Sequence, residues 1–549
     1  MKYILTTLIS GLLTVCAVQA DTARTESHAE VFLRHHVSRG VLKSGTPSLM
    51  RLLAGDSEES SNFREAYSQA MRPVMDTYTD SETGRFRVHY DLSGNDAPDL
   101  TDLDLNGVPD YVDSTMAYLE YAWQVIVVNL GYGRPMPDGT LGGSRDVIDC
   151  YLKDLSPQSL YGVTNPDVGN SGSITSYMTV DNNFTERIYP TKGYDALKIT
   201  TAHEFFHIVH YSYYGGYDSV WWMEHTAVWL EDYAWDNVDD YLNYAGFLFT
   251  DRNLPLDTWN GSFEYGASLF AFHIAQKYGH DMLRSIWSTF RDKQNGKIEN
   301  MNELLPDGVI QAVSDLAVWL YFTGARANYE DFFEEAGLIV NTMKPEQRKT
   351  SKTVVDSMTF RHYTFKYVDI SPPEGLAYGD SLYFDFKDRS NGLWKNRVIL
   401  YRSPTNYQIM DINGDTPVIG IPRPFDKAVL VITNASQSDK SYTYLYNIDI
   451  VSSKGVKEKP IPIPFALHQN FPNPFNATTT IPFTIQEQSH VTLKIMNIQG
   501  ASVATLVDGI MYPGRYTETF DAAGLSSGQY FAVLESNQSR AIQKMSFLK

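Results

Sequence analysis

The amino-acid sequence predicts an α+β domain followed by two β-rich domains, and three observations carry that expectation. Segments alternating apolar and polar residues come first, between residues 85 and 180. Longer segments at helical spacing follow between 195 and 280. Short alternating segments then return from 350 to the end, separated by Pro, Gly and Asn. At 549 residues the chain exceeds what one hydrophobic core usually supports, so several domains are expected. Hydrophobic residues make up 43% and aromatics 13%, a globular balance that excludes disorder for most of the chain. The formal charge of -20 repels phosphate backbones and anionic headgroups, and no block of Lys and Arg offsets it, so nucleic acid is excluded as a partner.

Lys2, an apolar run over 3–17 and Val18-Gln19-Ala20 read as a signal peptide over residues 1–20. A lipidated Cys16 is disfavoured because Val15 stands where a small residue is needed. Once that segment is removed only Cys150 remains, so an intrachain disulfide is excluded and packing or bound ions must hold the fold. No later apolar run is long enough to cross a membrane. Residues 21–84 read as an extension or propeptide, with a short amphipathic face at Glu30, Phe32, Leu33 and Val37 and an acidic stretch over 56–62.

The α+β domain spans 85–345. Its strands are expected at 86–90, 147–152 and 176–180, and its helices at 114–128, 195–211, 220–234 and 266–278, with Gly215-Gly216 as a break. A sandwich over 350–452 follows from strands at 363–367, 382–386, 398–401, 429–433 and 442–450. Residues 453–464, rich in Lys and Pro, read as a linker, and 465–549 as a last β-rich block.

Chemistry concentrates at Thr201-Ala202-His203-Glu204-Phe205-Phe206-His207, which contains HExxH. Four residues advance a helix by a little over one turn, so His203 and His207 project from one face and can grip one ion. Neutral imidazole suits Zn2+, and Glu204 is then placed to act as general base on a metal-bound water. The helix expected after Gly215-Gly216 carries Trp221-Trp222-Met223-Glu224-His225, and an antiparallel return would bring Glu224 back as a third ligand. His225 lies about 100° away on the same helix. Glu231, two turns beyond Glu224, is either an acceptor for a ligand histidine or a solvated helix end.

These segments resemble the gluzincin clan of zinc metallopeptidases, in which the third ligand is a Glu on the next helix within a W-x-N-E-x-x-A segment. Met223 stands where Asn is usual, and the intervening stretch is shorter than in the aminopeptidase pattern. The resemblance implies a zincin-like catalytic domain, and an oxyanion-stabilising Tyr for which Tyr265 is the candidate. The segment 176–180 is expected to be the cleft-edge strand that pairs with substrate. Residues 85–244 are also similar to a family of bacterial secreted metalloprotease-like proteins, through the acidic segment from Asp99 to Asp113, residues 177–184 and the zinc motif. The expectation is an endopeptidase, rather than an aminopeptidase, acting on extracellular protein or peptide as a monomer. The alternative is a surface-binding or adhesive protein with a vestigial metal site.

Asp102, Asp104, Asn106, Asp110 and Asp113 fall at positions one, three, five, nine and twelve of a loop with Gly107 at six, the EF-hand spacing, so structural Ca2+ is expected there. Asp411-Ile412-Asn413-Gly414-Asp415 is only a fragment of that pattern and reads as a turn. The final block opens with Gln469-Asn470-Phe471-Pro472-Asn473-Pro474-Phe475 and ends in Lys544-Met545-Ser546-Phe547-Leu548-Lys549. It resembles the type A C-terminal sorting domain of the type IX secretion system. That likeness implies a small Ig-like β-sandwich, a translocon partner with Lys544 and Lys549 contributing to the signal, and a secreted or cell-surface protein.

Overall fold

A computed structural model describes residues 32, 42–143, 146–167, 175–341, 343–349, 353–412, 417–452, 465–486, 489–511, 514–536 and 539–548. The signal peptide, the linker at 453–464, Lys549 and, apart from Phe32, the helical face at 30–37 lie outside the described residues. The fold is mixed α and β, with several sheets and a β-rich C-terminal region. Contacts divide it into two compact units, Met1–Trp123 with Pro135–Ser212, and Gln124–Arg134 with Tyr213–Lys549.

The first unit is built on a six-stranded sheet of β1 (Leu42–Ser44), β2 (Thr77–Asp80), β3 (Phe86–Tyr90), β4 (Ile148–Lys153), β5 (Leu160–Pro166) and β6 (Ser176–Asp181), in the order β1-β5-β6-β4-β3-β2. Strands β3, β4 and β6 run parallel, β5 is antiparallel to β6, β2 is antiparallel to β3, and β1 is parallel to β5. Two sequence readings change here. Strand β6, expected at a cleft edge, lies inside the sheet: Thr179 is in register with Tyr151 on one side and Val163 on the other, so its backbone is already paired. Its neighbour β5 escaped the sequence reading because Gly162 and Pro166 interrupt its pattern. Residues 42–80, read as part of an extension, supply both edge strands of this same sheet.

The same segment supplies α1 (Thr46–Ala54), which carries Pro in its first turn, and α2 (Glu58–Gln69). The latter is capped by Ser57, whose hydroxyl accepts from the Ser60 N–H at 3.1 Å, with Glu58 and Glu59 in the first turn favoured by the helix dipole. Beyond α2, Arg72 is buried among three carboxylates. Its Nη1 meets Asp138 at 2.6 Å and Asp149 at 2.5 Å, and its Nη2 meets Asp167 at 2.5 Å. Asp149 also bonds His89 Nε2 at 2.7 Å, and the guanidinium lies 5.1 Å from the centre of the Tyr177 ring. Burial first, and then Asp149, push Asp138 up to about 6 against the pull of Arg72.

Two long helices complete the unit, α3 (Asp110–Trp123) and α4 (Gly193–Tyr213). From Ala196 to Tyr211 only Lys198 escapes burial in α4, as expected of a helix apolar on nearly every face. Its Phe205 ring packs edge-on against Phe86 of β3, with ring centres 5.2 Å apart, and stacks on Trp123 at 6.0 Å.

The second unit opens with α5 (Val220–Ala234), α6 (Leu242–Thr250), α7 (Phe263–Ala267), α8 (Leu269–Tyr278), α9 (His280–Lys293) and α10 (Gly308–Tyr321). The helix expected over 266–278 is two helices broken at Ser268, whose hydroxyl bonds the Tyr265 carbonyl at 2.6 Å. Strands β7 (Gln347–Lys349), β8 (Thr353–Phe360), β9 (Thr364–Ile370), β10 (Ser381–Asp388), β11 (Trp394–Ser403), β12 (Asn406–Ile412), β13 (Val418–Gly420), β14 (Lys427–Asn434) and β15 (Tyr442–Val451) then form two sheets, β13-β10-β15-β8 and β12-β11-β14-β9-β7. Alternate residues such as Leu382, Phe384 and Phe386, and Val398 and Leu400, enter their shared core. Of the turn read over 411–415, Asp411 and Ile412 end β12 and the rest lies outside the described residues.

The last sheets hold β16 (Ala466–Leu467), β17 (Thr478–Ile485) and β20 (Gly514–Asp521) on one side. On the other are β18 (Ser489–Met496), β19 (Ser502–Met511), β21 (Gly528–Ser536) and β22 (Ser539–Phe547). The two ends of this block touch. The Phe475 N–H bonds the Ser546 carbonyl and the Leu548 N–H bonds the Phe475 carbonyl, both at 2.9 Å, while the Phe475 and Phe547 rings pack 5.2 Å apart.

Replacing Arg72 by Met should cost about 3–5 kcal/mol, because three buried carboxylates lose the cation they share. The sign of the pH effect follows from Asp138: its pKa is raised on folding from 3.8 to about 6, so protonation favours the folded state and stability falls as pH rises through that window. Without Arg72 that penalty deepens and extends to higher pH. Chemical denaturation should therefore show a smaller deficit at pH 5 than at pH 8, and an equal deficit at both would contradict this account.

Candidate metal centre

Helix α4 sets His203 and His207 one turn apart, with ring centres 4.6 Å from each other and planes at 87°. Both are buried, at 2% and 0% exposure. Burial pushes His207 down to about 3, so its imidazole is neutral and able to donate a lone pair. Its Nδ1 lies 3.4 Å from Nδ1 of His210, a third buried imidazole on the same helix, held well below the ordinary range by burial and then by the two other histidines.

On α5, Glu224 is fully buried. So is His225, its rival. Its ring packs edge-on to Trp221 at 5.2 Å and against Trp222 at 6.0 Å, and burial pushes it down to about 3. One residue of helical rotation, about 100°, separates the two neighbours. Position is fixed further along α5 by Trp287, whose indole N–H bonds the Thr226 hydroxyl at 3.3 Å, and by Trp221, whose indole N–H bonds the Gly296 carbonyl at 3.0 Å.

Glu204, between the two histidines in sequence, is also fully buried. Thr164 of β5 donates to its Oε2 at 2.7 Å and to its backbone carbonyl at 2.9 Å, and the Thr46 hydroxyl lies 3.4 Å from the same Oε2. Close approach is possible because β5 carries Gly162 here: a Cβ at that position would sit 2.7 Å from Cγ of Glu204. Thr164 and Gly162 are two apart and face the helix together. Neither Thr was singled out from the sequence, where isolated threonines carry no signal.

Glu231 is buried at 2% exposure two turns beyond Glu224. Tyr265, on the short α7, is fully buried with its ring 5.6 Å from that of Tyr244, a core packing position. The adjacent Glu264 caps this helix, accepting from the backbone N–H groups of Asn260, Gly261 and Ser262 at 2.9, 2.7 and 3.1 Å.

The acidic loop before α3 gathers oxygens of Asp102, Asp104 and Asp110 within 4.8 Å of one another. Asp102 accepts from the N–H groups of Asn106 at 3.2 Å and Gly107 at 2.9 Å, and the Asn106 side-chain amide meets Asp104 at 3.2 Å and Asp113 at 2.8 Å. Gly107 adopts φ +88°, the left-handed turn that position six of such a loop requires. A further carboxylate group was not read from the sequence: Asp232, Asp239 and Glu335. Burial and its acidic neighbours push Asp232 up to about 8, and Tyr241 donates to Glu335 at 2.6 Å.

Among curated proteins none matches the chain. Solved structures align only over fragments. A β-1,2-glucanase from Parabacteroides distasonis does so at 8% identity, over 36% of this chain and 37% of that one, with a TM-score of 0.14. A β-glucuronidase of Faecalibacterium prausnitzii aligns at 9% identity over 33% and 36%, TM-score 0.12. Tripeptidyl peptidase 2 aligns at 10% identity over 39% and 25%, TM-score 0.17. At most 37% of those chains is spanned, and likeness this slight says nothing of fold or activity. Among the described residues no helix is long and apolar enough to cross a membrane. Residues 469–547 match the secretion system C-terminal sorting domain, the tail that directs a chain through type IX secretion to the cell surface or the extracellular space.

Proposed function

We propose that this exported chain is a zinc-dependent peptidase, and the observation that supports it most is the pair of buried imidazoles, His203 and His207, one turn apart on α4 with the buried Glu204 between them in sequence, to which Glu224 would add a third ligand. Two imidazoles and a carboxylate form a donor set that fits Zn2+ with a position left open. Bound there, zinc would polarise a carbonyl and lower the pKa of a water. Glu204 is the group that takes the proton from that water and returns it to the leaving amine, with its carboxylate oriented by the Thr164 hydroxyl. Thr46 and Thr164 shape its surroundings; Tyr265, packed on Tyr244, is retained only as a candidate for oxyanion support. The substrate is protein or peptide outside the cell, and endopeptidase action is preferred because no residue can be assigned to anchor a free amine. The β-rich C-terminal half favours a second reading, a surface-binding protein with a vestigial centre.

Elemental analysis separates the two, with about one zinc per chain expected for the peptidase and none for the vestigial centre. Glu204→Gln should retain the metal while casein hydrolysis falls about 10²–10⁴-fold. Unchanged cleavage by that variant would remove Glu204 from its role.

For the third ligand, Glu224→Ala should lower zinc affinity by more than the roughly ten- to hundred-fold expected of Glu231→Ala acting through a ligand histidine. His225→Ala should keep its zinc. Metal lost from His225→Ala but kept by Glu224→Ala would reverse the assignment.

The loop of Asp102, Asp104, Asn106, Asp110 and Asp113 is proposed to hold Ca2+ for stability and not for chemistry. A calcium chelator that spares zinc should lower the melting temperature, since a ligand bound only by the native state adds stability. Identical melting of chelated and calcium-saturated protein would count against this site.

A further inference from the structure

We infer that residues 42–54 hold the protein in a latent state by occupying the open edge of β5 and covering Glu204, an inference that rests on the peptidase reading above. Among the described residues strand β5 has one partner besides β1, the antiparallel β6, so without β1 its outer edge would present free N–H and C=O groups next to the helix that carries Glu204. β1 is only three residues long. It holds that edge through the Leu42 N–H on the Ser159 carbonyl at 2.9 Å and, just beyond the strand, the Gly45 N–H on the Gly162 carbonyl at 2.8 Å. The chain then turns into α1 at Thr46. The Thr46 hydroxyl oxygen accepts from the Thr164 N–H at 3.0 Å, and the hydroxyl reaches Glu204 Oε2 at 3.4 Å.

Thr46, Thr164 and Glu204 are all fully buried, and the two hydroxyls close the Oε2 side of the carboxylate. A general base must be within hydrogen-bond reach of the proton it removes. Covering it is therefore inhibition and not support. The segment is seated by burial as well as by pairing: Leu42 to Pro47, Leu49 and Met50 are buried, Tyr211 donates to Met50 Sδ at 3.5 Å, and Arg64 of α2 donates to the Leu53 carbonyl at 3.2 Å. Downstream of α1 the chain passes through Asp56 and Ser57, both exposed and ahead of the first turn of α2, where a processing protease would find accessible backbone. One cut between them would sever β1 and α1 from the rest of the chain and keep Ser57 as the cap of α2.

The test uses the full chain with a recognition sequence for a specific protease inserted between Asp56 and Ser57, compared before and after cutting, with fluorescein-labelled casein as the probe. Binding is read by anisotropy on the Glu204→Gln background, and hydrolysis on the otherwise unchanged chain. Cutting should tighten casein binding at least tenfold and raise hydrolysis at least tenfold. Uncut Leu42→Pro, which cannot donate to Ser159, should move both readouts the same way while far-ultraviolet circular dichroism stays that of the parent. Casein binding that rises on cutting without any hydrolysis would keep the latency and sink the peptidase. Equal hydrolysis by cut and uncut protein would keep the peptidase and overturn the latency, as would failure of both cutting and Leu42→Pro to improve casein binding.

Discussion

The constraint on which the rest of the candidate centre depends is the burial of charged and polar side chains on a helix that is otherwise apolar all round. Along α4, His203, Glu204, His207 and His210 sit at 0–2% exposure among residues such as Phe205, Phe206 and Ile208. A carboxylate in such a place is costly unless it is hydrogen-bonded or paired. Strand β5 meets the requirement locally: Gly162 removes a side chain so the helix can approach, and Thr164, on the same face two residues on, supplies the hydroxyl. His207 and His210 solve the problem differently, burial holding both imidazoles below their ordinary range.

Much of this was legible in the sequence where a short periodic signal suffices. α5 runs over the residues expected, 220–234, and α4 extends its expected span by two residues at each end, because both carry long apolar stretches that only a buried helix accommodates. The acidic loop declared itself through spacing, and Asp102, Asp104 and Asp110 do come together. What stayed hidden depends on pairing between distant segments. Arg72 reads as one more surface cation until Asp138, Asp149 and Asp167 fold around it. The interior place of β6 could not be inferred without β5, and the group of Asp232, Asp239 and Glu335 needs a residue about a hundred positions downstream.

The sorting domain shows how two separated sequence signals can be one physical feature. The opening segment around Asn473 and Phe475 and the closing strand β22 are the parts of the block that stood out by sequence, and they are bonded to each other. Asn473 accepts from the Ser546 N–H at 2.9 Å, and Gln469 donates to the Lys544 carbonyl at 2.9 Å. Each segment fixes the backbone of the other, so a change in either would alter the surface on which Lys544 is displayed.

Three of the buried glutamates, Glu264, Glu204 and Glu224, illustrate why Glu224 is the natural third ligand on the proposed reading. Glu264 is satisfied by three backbone N–H groups at a helix start, and Glu204 by the Thr164 hydroxyl, so each finds neutral donors built by its neighbours. Glu224 is fully buried as well, and on the proposed reading its companions would be the imidazoles of His203 and His207, the latter held neutral by burial. Neutral imidazole nitrogen brings no charge to set against a carboxylate. A divalent cation would, and it would be left with one net positive charge after binding a single carboxylate, available to act on a carbonyl or a water. His225 packs edge-on to Trp221 and against Trp222, and one residue of helical rotation carries it away from the direction of Glu224.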